Sequence, residues 1–401
     1  MKSREVVIVD GARSAFGRLG GGLRKLAGTD IAAFVVDGLL EKTKILERGT
    51  VDSLLAGCAL SDAQTRAMAR YIVLKSKLPL ECSGTFVEMQ CGSAITSLNH
   101  AAWKIKMGMS DIAVVGGFES YSTMPASMST SNEPYKGIAP APIKRRISPF
   151  PEKDIDMISV SDKMASMWGI SREEADEFAV RSQERLAKAY ATGLIGPEII
   201  PYVIPATKKT PEIIVDKDEQ PRPETSMEGL AKLNPVKPGG VTTAGNSSGR
   251  NDGAAFLLVM TAEKAEELGY TPYARWIGCS HHGCSEDIMG IGPAYSNLEA
   301  LKNAGLSVSD LDVFECNEAF AAQNLSVIKE METQSGLKID QEKWNPNGGA
   351  IAIGHPNGAS GARIAWFAMK QLEKTGGKYG LISSCCGGGH GTTAVLENLR
   401  R

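Results

Sequence analysis

Apolar positions in this chain fall into short continuous runs and helical stripes that alternate along its length. "EVVIVDGA" is an apolar run ending at Gly11, as a buried strand would read. "TDIAAFVVDGLLEKT" carries apolar residues at helical spacing behind a Thr/Asp start. From Cys91 the stripe Ala94, Ile95, Leu98, Ala101, Ala102 and Ile105 predicts a helix stopping near Gly108, and "DIAVVGG" predicts the strand after it. Residues 119–249 break the rhythm. They are rich in Pro, Ser, Lys and Met around one helical island, "SREEADEFAVRSQERLAKAYATG", and read as a loop-rich insertion. "NDGAAFLLVMTAEKAEELG" returns to strand then helix, and "YARWIGCS" starts a strand again.

The last part repeats the first. "GASGARIAWFAMKQLEKTGG" stripes Ala362, Ala365, Trp366, Met369 and Leu372 along one helix face, and "YGLISSC" follows as a strand. Helix, glycine stop, strand and glycine turn therefore occur twice, which suggests a duplicated α/β unit. Identity between the repeats is low, so the pattern alone carries this reading.

Composition narrows the class. The chain has 401 residues, 42% hydrophobic, so two or three packed units are expected. The net charge of −2 gives no reason to expect nucleic acid or an anionic membrane as partner. No apolar run is long enough to span a membrane. The start "MKSREVVIVDGARSAFG" lacks the apolar core of a secretory signal, and "LENLRR" is not a peroxisomal tag. Eight cysteines without such a signal read as reduced thiols, so a cytoplasmic protein is expected; an organelle matrix stays open if a transit segment has been removed.

Several residues look chemical. Cys91 stands where a strand hands over to a helix, and unpaired N–H groups there favour the nucleophilic thiolate; a buried structural thiol is the plain alternative. His355, in "NPNGGAIAIGHPNGASGAR", is a loop histidine whose ordinary pKa suits a base. The alternative is a turn histidine bonded to backbone. Cys385 ends a strand before Gly387, Gly388 and Gly389, where N–H groups can converge on a negative oxygen. Strand alternation aims only one of Cys385 and Cys386 at a site, and a disulfide between them would be strained. Asn317 ends an apolar strand as a carbonyl donor or a helix cap. "TTAGNSSGRNDGAA" would suit an extended ligand or serve as a connection. "CSHHGC", Cys279 to Cys284, is too compact to wrap four ligands around one ion, so no metal is expected. The basic run Lys144-Arg145-Arg146 reads as a solvated face, with approach to a phosphate as the alternative.

Together "DGARSAFG", "CGSA" at Cys91, "GGFESYSTMP", "TAGNSSGRNDGAA", "IMGIGP", "NEAFAAQ", "NPNGGAIAIGHPNGASGAR" and "CCGGGHG" resemble the thiolases, the acyl-CoA acetyltransferases, over nearly the whole chain. The resemblance implies an α/β fold, a five-layered αβαβα sandwich of two βαβαβαββ halves with a loop domain over the site. On that pattern residues 1–118 with 250–271 form the N-terminal half, 119–249 the loop domain binding coenzyme A, and 272–401 the C-terminal half. It implies homodimers or homotetramers, acyl-CoA and coenzyme A as substrates, and no separate cofactor. By resemblance Cys91 is the nucleophile carrying the acyl group, His355 the base that later lends an N–H to an oxyanion, and Cys385 the acid/base at the substrate α-carbon. Asn317 orients a water in the first oxyanion hole, and the N–H groups of Cys91 and Gly387 form the second. Arg222 is placed against the nucleotide, Ser248 against the pantetheine arm, and Met289 and Phe320 in the acyl pocket.

The implied reaction is acetyl-CoA C-acetyltransfer, the reversible Claisen condensation of two acyl-CoA or thiolysis of acetoacetyl-CoA. A 3-ketoacyl-CoA thiolase of longer-chain preference is the first alternative. A ketoacyl synthase, against which the second thiol argues, and an inactive CoA-binding scaffold follow. The chain departs from the family at Glu88, where Asn is usual, at Asp156 in place of a pocket His, at Arg250 and at His390. Gln90 is shared with degradative members more than biosynthetic ones. These departures leave acyl preference open.

Overall fold

The computed structural model describes residues 4–401 apart from 62–64, 131, 132, 134, 207, 209 and 210. One half of the molecule supplies the strands β1 (Val6–Arg13), β2 (Ser53–Gly57), β3 (Ser83–Val87), β4 (Ile112–Glu119) and β5 (Asn251–Thr261). The other supplies β6 (Ala274–Gly283), β7 (Val313–Cys316), β8 (Tyr379–Cys386) and β9 (His390–Asn398). The main helices are α1 (Gly28–Thr43), α2 (Met68–Lys75), α3 (Ser93–Lys106), α4 (Met157–Trp168), α5 (Arg172–Ala191), α6 (Gly292–Ala304), α7 (Ala321–Ser335) and α8 (Ser360–Thr375).

The strands run in the order β3–β2–β4–β5–β1–β6–β9–β8–β7. On one side β2 and β4 pair parallel, β4 and β5 antiparallel, and β5 and β1 antiparallel. On the other side β7 and β8, β8 and β9, and β9 and β6 repeat those three relations. The halves join where Val6–Ile8 of β1 pair with Ala274–Trp276 of β6. The duplication expected from the helix and strand rhythm is thus present in the sheet itself, with β3 as an addition on the first half.

Alternation along each strand builds the layers. Val6 and Ile8 of β1, with Ala113 and Val115 of β4, face a central core that also holds the apolar stripes of α3 and α8 and, from the second half, Trp276, Val313 and Ile382. Val7, Val9, Ile112 and Val114 face the opposite way, onto α1 and α2. Phe314, Leu381 and Val395 of the second half face α6 and α7. Helix, sheet, helix, sheet, helix is the αβαβα arrangement. The stripe read from Ala94 to Ile105 lies wholly inside the central layer.

The segment after β4 is tied back by a buried cation. Arg13, 1% exposed, donates from Nε to Glu198 (2.9 Å) and from Nη1 and Nη2 to both oxygens of Asp218 (2.7 and 2.9 Å). Asp218 also accepts the amide of Phe16 at 2.6 Å and the Tyr190 hydroxyl. In such a dry pocket the attraction repays desolvation only while all partners are present. Arg13→Ala is therefore expected to destabilise the fold by about 3–5 kcal/mol, the usual cost of breaking a buried pair from one side; denaturant titration against wild type measures it.

Candidate active site

Cys91 occupies a single 3-10 turn, Gln90–Gly92, that leads into α3. Gln90 holds the left-handed conformation (φ 48°), unusual for a residue with a side chain. Local bonds offset that strain. Glu88 Oε1 accepts both the backbone N–H (2.8 Å) and the side-chain Nε2 (2.7 Å) of Gln90. Ser93 Oγ accepts from the Met89 amide at 3.0 Å and donates to the Gln90 carbonyl at 2.7 Å. The unusual Glu88 thus clamps the turn that presents the thiol. The expectation of a thiolate at a helix start is corrected: burial, followed by the carboxylates of Glu119 and Glu88, pushes the Cys91 thiol up to about 12, against the opposing pull of its own backbone N–H.

His355 is 5% exposed. Its backbone N–H donates to Asn251 Oδ1 at 2.9 Å, and its Nδ1 lies 2.7 Å from Ser360 Oγ at the start of α8. Ser360 Oγ donates to the Pro356 carbonyl at 3.2 Å, so Nδ1 carries the ring proton and donates to Ser360. Nε2 is left with its lone pair, 3.3 Å from the Nδ2 amide of Asn317. Asn317 is fully buried, and its Oδ1 has no hydrogen-bond partner. Burial, then the cation of Arg363, pushes the imidazole down to about 3 rather than leaving it near neutrality. Arg363, on the same helix as Ser360, faces the buried Glu315 of β7 at 3.8 Å. The resting pair is therefore a neutral thiol and a neutral imidazole.

Strand alternation separates the adjacent thiols of β8. Cys386 turns toward the Cys91 turn: a Cβ on Gly92 would sit 2.4 Å from its Sγ. Cys385 faces the other way, into the cluster that holds Met289 and the partly buried Phe320. Burial pushes the Cys385 thiol well above its ordinary value, with Cys91 the next contributor. Gly387 closes on Gln90, where an added Cβ would lie 3.1 Å from the Gln90 Cγ. Ser248 donates its amide to the Ala319 carbonyl at 3.0 Å, and Ser247 bridges to Phe320, so the polar loop runs alongside the Asn317 segment. Arg222 is exposed; its amide donates to Gln183 Oε1 at 2.9 Å, and its guanidinium makes no contact with the thiols or His355.

Three supporting residues escaped the sequence reading. Ser360 fixes the His355 tautomer, Asn251 holds its backbone, and the buried carboxyl of Glu119 accepts from Cys58 Sγ (3.1 Å), Ala59 N (3.0 Å), Leu60 N (3.2 Å) and Gly358 N (3.1 Å). Each sits inside a quoted motif, yet short polar residues in glycine-rich stretches give no signal of their own. Two departures lie elsewhere. Asp156 caps α4 through the Ser159 amide at 3.0 Å and pairs with Lys237, half exposed, and His390 is exposed at the start of β9. Arg250 is exposed while its backbone bridges to His355. In "CSHHGC", His281 lies near Asn99 (3.5 Å) with its imidazole pushed down to about 4 by burial, His100 and His390, whereas His282 turns to Glu299 at 3.0 Å. Among the described residues no group of three His, Cys, Asp or Glu is placed to hold a metal.

Known proteins resemble this chain in sequence and fold. The family model "Thiolase, N-terminal domain" matches residues 6–263, and "Thiolase, C-terminal domain" matches 270–398. The 3-oxoadipyl-CoA/3-oxo-5,6-dehydrosuberyl-CoA thiolase of Escherichia coli K12 is 39% identical over 99% of this chain and 100% of its own. Among solved structures, the Bacillus anthracis acetyl-CoA acetyltransferase superposes with a TM-score of 0.90 at 33% identity, covering 99% of each chain. Human mitochondrial 3-ketoacyl-CoA thiolase in complex with CoA gives 0.88 at 34%, covering 98% of each. The chain belongs to the thiolase family. Within it the protein is an acyltransferase of the acetyl-CoA acetyltransferase kind, working on acyl-CoA thioesters and coenzyme A.

A pH dependence follows from the depressed imidazole. The kcat/KM profile is expected to show no acid limb between pH 6 and 7, because His355 is already neutral there. The unfolded chain binds a proton at 6.5 and the folded one near 3, so this stability term is present above 6.5 and is lost as pH falls toward 3, by ~5 kcal/mol in all. Urea midpoints of wild type and His355→Asn across that range should converge as the pH drops.

Proposed function

We propose that the chain interconverts two acyl-CoA molecules with a 3-ketoacyl-CoA and free coenzyme A, with acetoacetyl-CoA as its smallest substrate. In the cleavage direction Cys91 Sγ attacks the 3-keto carbon as its proton passes to His355 Nε2. The C2–C3 bond breaks, and the electron pair left on C2 is protonated by Cys385, releasing acetyl-CoA. Coenzyme A then gives its thiol proton to the Cys385 thiolate and attacks the acyl-Cys91 thioester. The departing Cys91 sulfur recovers its proton from His355. Condensation is the same path reversed. Only protons and an acyl group move, so coenzyme A is a substrate and no further cofactor enters.

One observation carries this reading: a neutral His355 Nε2 stands 3.3 Å from Asn317, whose Oδ1 is buried without a partner. Asn317 Oδ1 suits a water that donates to it and to a substrate oxygen, and Nε2 joins this first oxyanion hole as a donor once it holds the Cys91 proton, with the N–H groups of Cys91 and Gly387 serving the second. Losing one such donor typically slows a reaction by ~10²–10³. Met289 and Phe320, in the cluster with Cys385, would line the acyl pocket, Ser248 would meet the pantetheine arm, and the exposed Arg222 the nucleotide. A ketoacyl synthase reading is weaker, because it leaves Cys385 without a task. Substrates named for the relatives range from acetyl-CoA to 3-oxoadipyl-CoA, so acyl preference must come from this chain's own residues.

The edge strand β3 and the exposed Leu74 (60%), Leu80 (66%), Met107 (72%) and Met109 (66%) favour a homodimer, or a homotetramer built from it. Eight unpaired cysteines suit a reducing compartment such as the cytoplasm. No helix among the described residues is long and apolar enough to cross a membrane.

Mass spectrometry after acetoacetyl-CoA treatment is expected to find an acetyl group on Cys91 in wild type and none in Cys91→Ala. Cys385→Ala should still accept the acetyl group from acetyl-CoA but fail to exchange the α-protons of acetyl-CoA with deuterated water. Wild-type protein that leaves acetoacetyl-CoA intact in the presence of coenzyme A would refute the assignment.

A further inference from the structure

Pairing of β7 with β8 continues one residue past the strand, since the Asn317 amide donates to the Ser383 carbonyl at 2.9 Å. Glu315 and Asn317, two apart, therefore face the same way, into the central layer that also takes Val313. Ser360 and Arg363, three apart on α8, share a helix face. The two faces meet. His355, held by Ser360 at 2.7 Å, stands 3.3 Å from Asn317, and Arg363 stands 3.8 Å from Glu315. Strand, helix and these contacts close a ring around the imidazole.

The ion pair in this ring is poorly explained by packing. Arg363 and Glu315 are fully buried, and neither Glu315 oxygen nor any Arg363 side-chain nitrogen has a hydrogen-bond partner. At 3.8 Å they meet as charges rather than as donor and acceptor. Apolar residues would suit such a place as well or better, because the desolvation of two ions commonly exceeds their attraction. The other charges around the site are spent on partners of their own. Glu318 accepts from Ser182 Oγ (2.6 Å), Asn345 Nδ2 (2.9 Å) and the Ile351 amide (3.3 Å). Glu119 holds the amides of Ala59, Leu60 and Gly358, Arg13 holds Glu198 and Asp218, and the Arg250 side chain is exposed. Beyond burial itself, the Arg363 cation is what holds the imidazole low.

We propose that Arg363 and Glu315 are positioning residues for the reaction, an ion pair that joins the start of α8 to the end of β7 and keeps His355 Nε2 free to take a proton beside Asn317. The proposal rests on the thiolase reading above and adds two residues to its site. Both are too deeply buried to touch substrate, so they act through His355. Arg363 opposes an early charge on the ring, and Glu315 fixes Arg363 from the strand that carries Asn317.

Ring-labelled histidine NMR on the full chain tests it. The five histidines give five ring signals, and His355→Asn identifies the one that matters. In wild type that signal should keep its neutral position from about pH 8 down to about pH 5, whereas in Arg363→Met it should titrate within that range. Arg363→Met strands a buried carboxylate, so the double variant Arg363→Met with Glu315→Leu carries the test if the single one does not fold. The double variant should recover stability, yet its His355 should still titrate above about pH 5. Its kcat/KM for acetoacetyl-CoA, relative to wild type, should fall by about threefold or more between those limits, while the KM for coenzyme A stays the same. A ring signal that stays in place in the double variant, or a rate lowered by one factor at every pH, overturns the inference and leaves the thiolase reading intact. Wild-type protein that fails to cleave acetoacetyl-CoA strikes that reading instead, and the ring signals still decide whether Arg363 governs the imidazole.

Discussion

A side chain at position 361 would place its Cβ 2.6 Å from the Ile95 amide nitrogen, so the first turns of α3 and α8 touch backbone to backbone. Around that contact Cys91 begins one central helix, and Ser360, which fixes the His355 ring, begins the other. Both helices are buried between sheets, and neither can shift without opening the central core. The Glu119 carboxyl reinforces the junction by binding amides from the loop after β2 and from Gly358 beside His355. The chemistry is therefore held by the most constrained layer of the molecule, and the polar loops only cover it.

Dryness at this junction sets both resting protonation states. Burial raises the Cys91 thiol and lowers the His355 imidazole, so both groups rest neutral. An empty enzyme of this kind carries no exposed thiolate to be alkylated or oxidised. Arg363 contributes to that poise from α8, lowering the imidazole while facing Glu315.

Much of this was legible in the residues. The alternation of Val6 to Val9 and the stripe from Ala94 to Ile105 gave the layers, and glycine-flanked motifs pointed to Cys91, His355, Cys385 and Asn317. What the sequence misjudged were quantities set by packing. A helix start suggests a lowered thiol pKa, but burial and Glu119 outweigh the dipole, and no local pattern announces a carboxylate 28 residues downstream. Asp156 looked like a pocket residue because of its position in a motif; its side chain is spent on capping α4 and on Lys237. Lys144-Arg145-Arg146 are exposed, as the charge run suggested, and the fold adds only that they line the same open cleft as Gln90. Ser360 and Asn251 were silent because a short polar side chain acquires meaning only from the atom it faces.

The repeated strand pairing has an evolutionary corollary. β4 and β8 hold equivalent places in the two halves, as do α3 and α8. Yet β4 ends in the carboxyl of Glu119, whereas β8 ends in two adjacent thiols, and one central helix opens beside the Cys91 thiol while its counterpart opens on Ser360, which holds the His355 ring. An ancestral pair of identical lobes would have presented the same group twice. Divergence of once-redundant positions into complementary roles accounts for a polypeptide with two matching halves and a single centre, and it binds each half's mutational freedom to that of its twin.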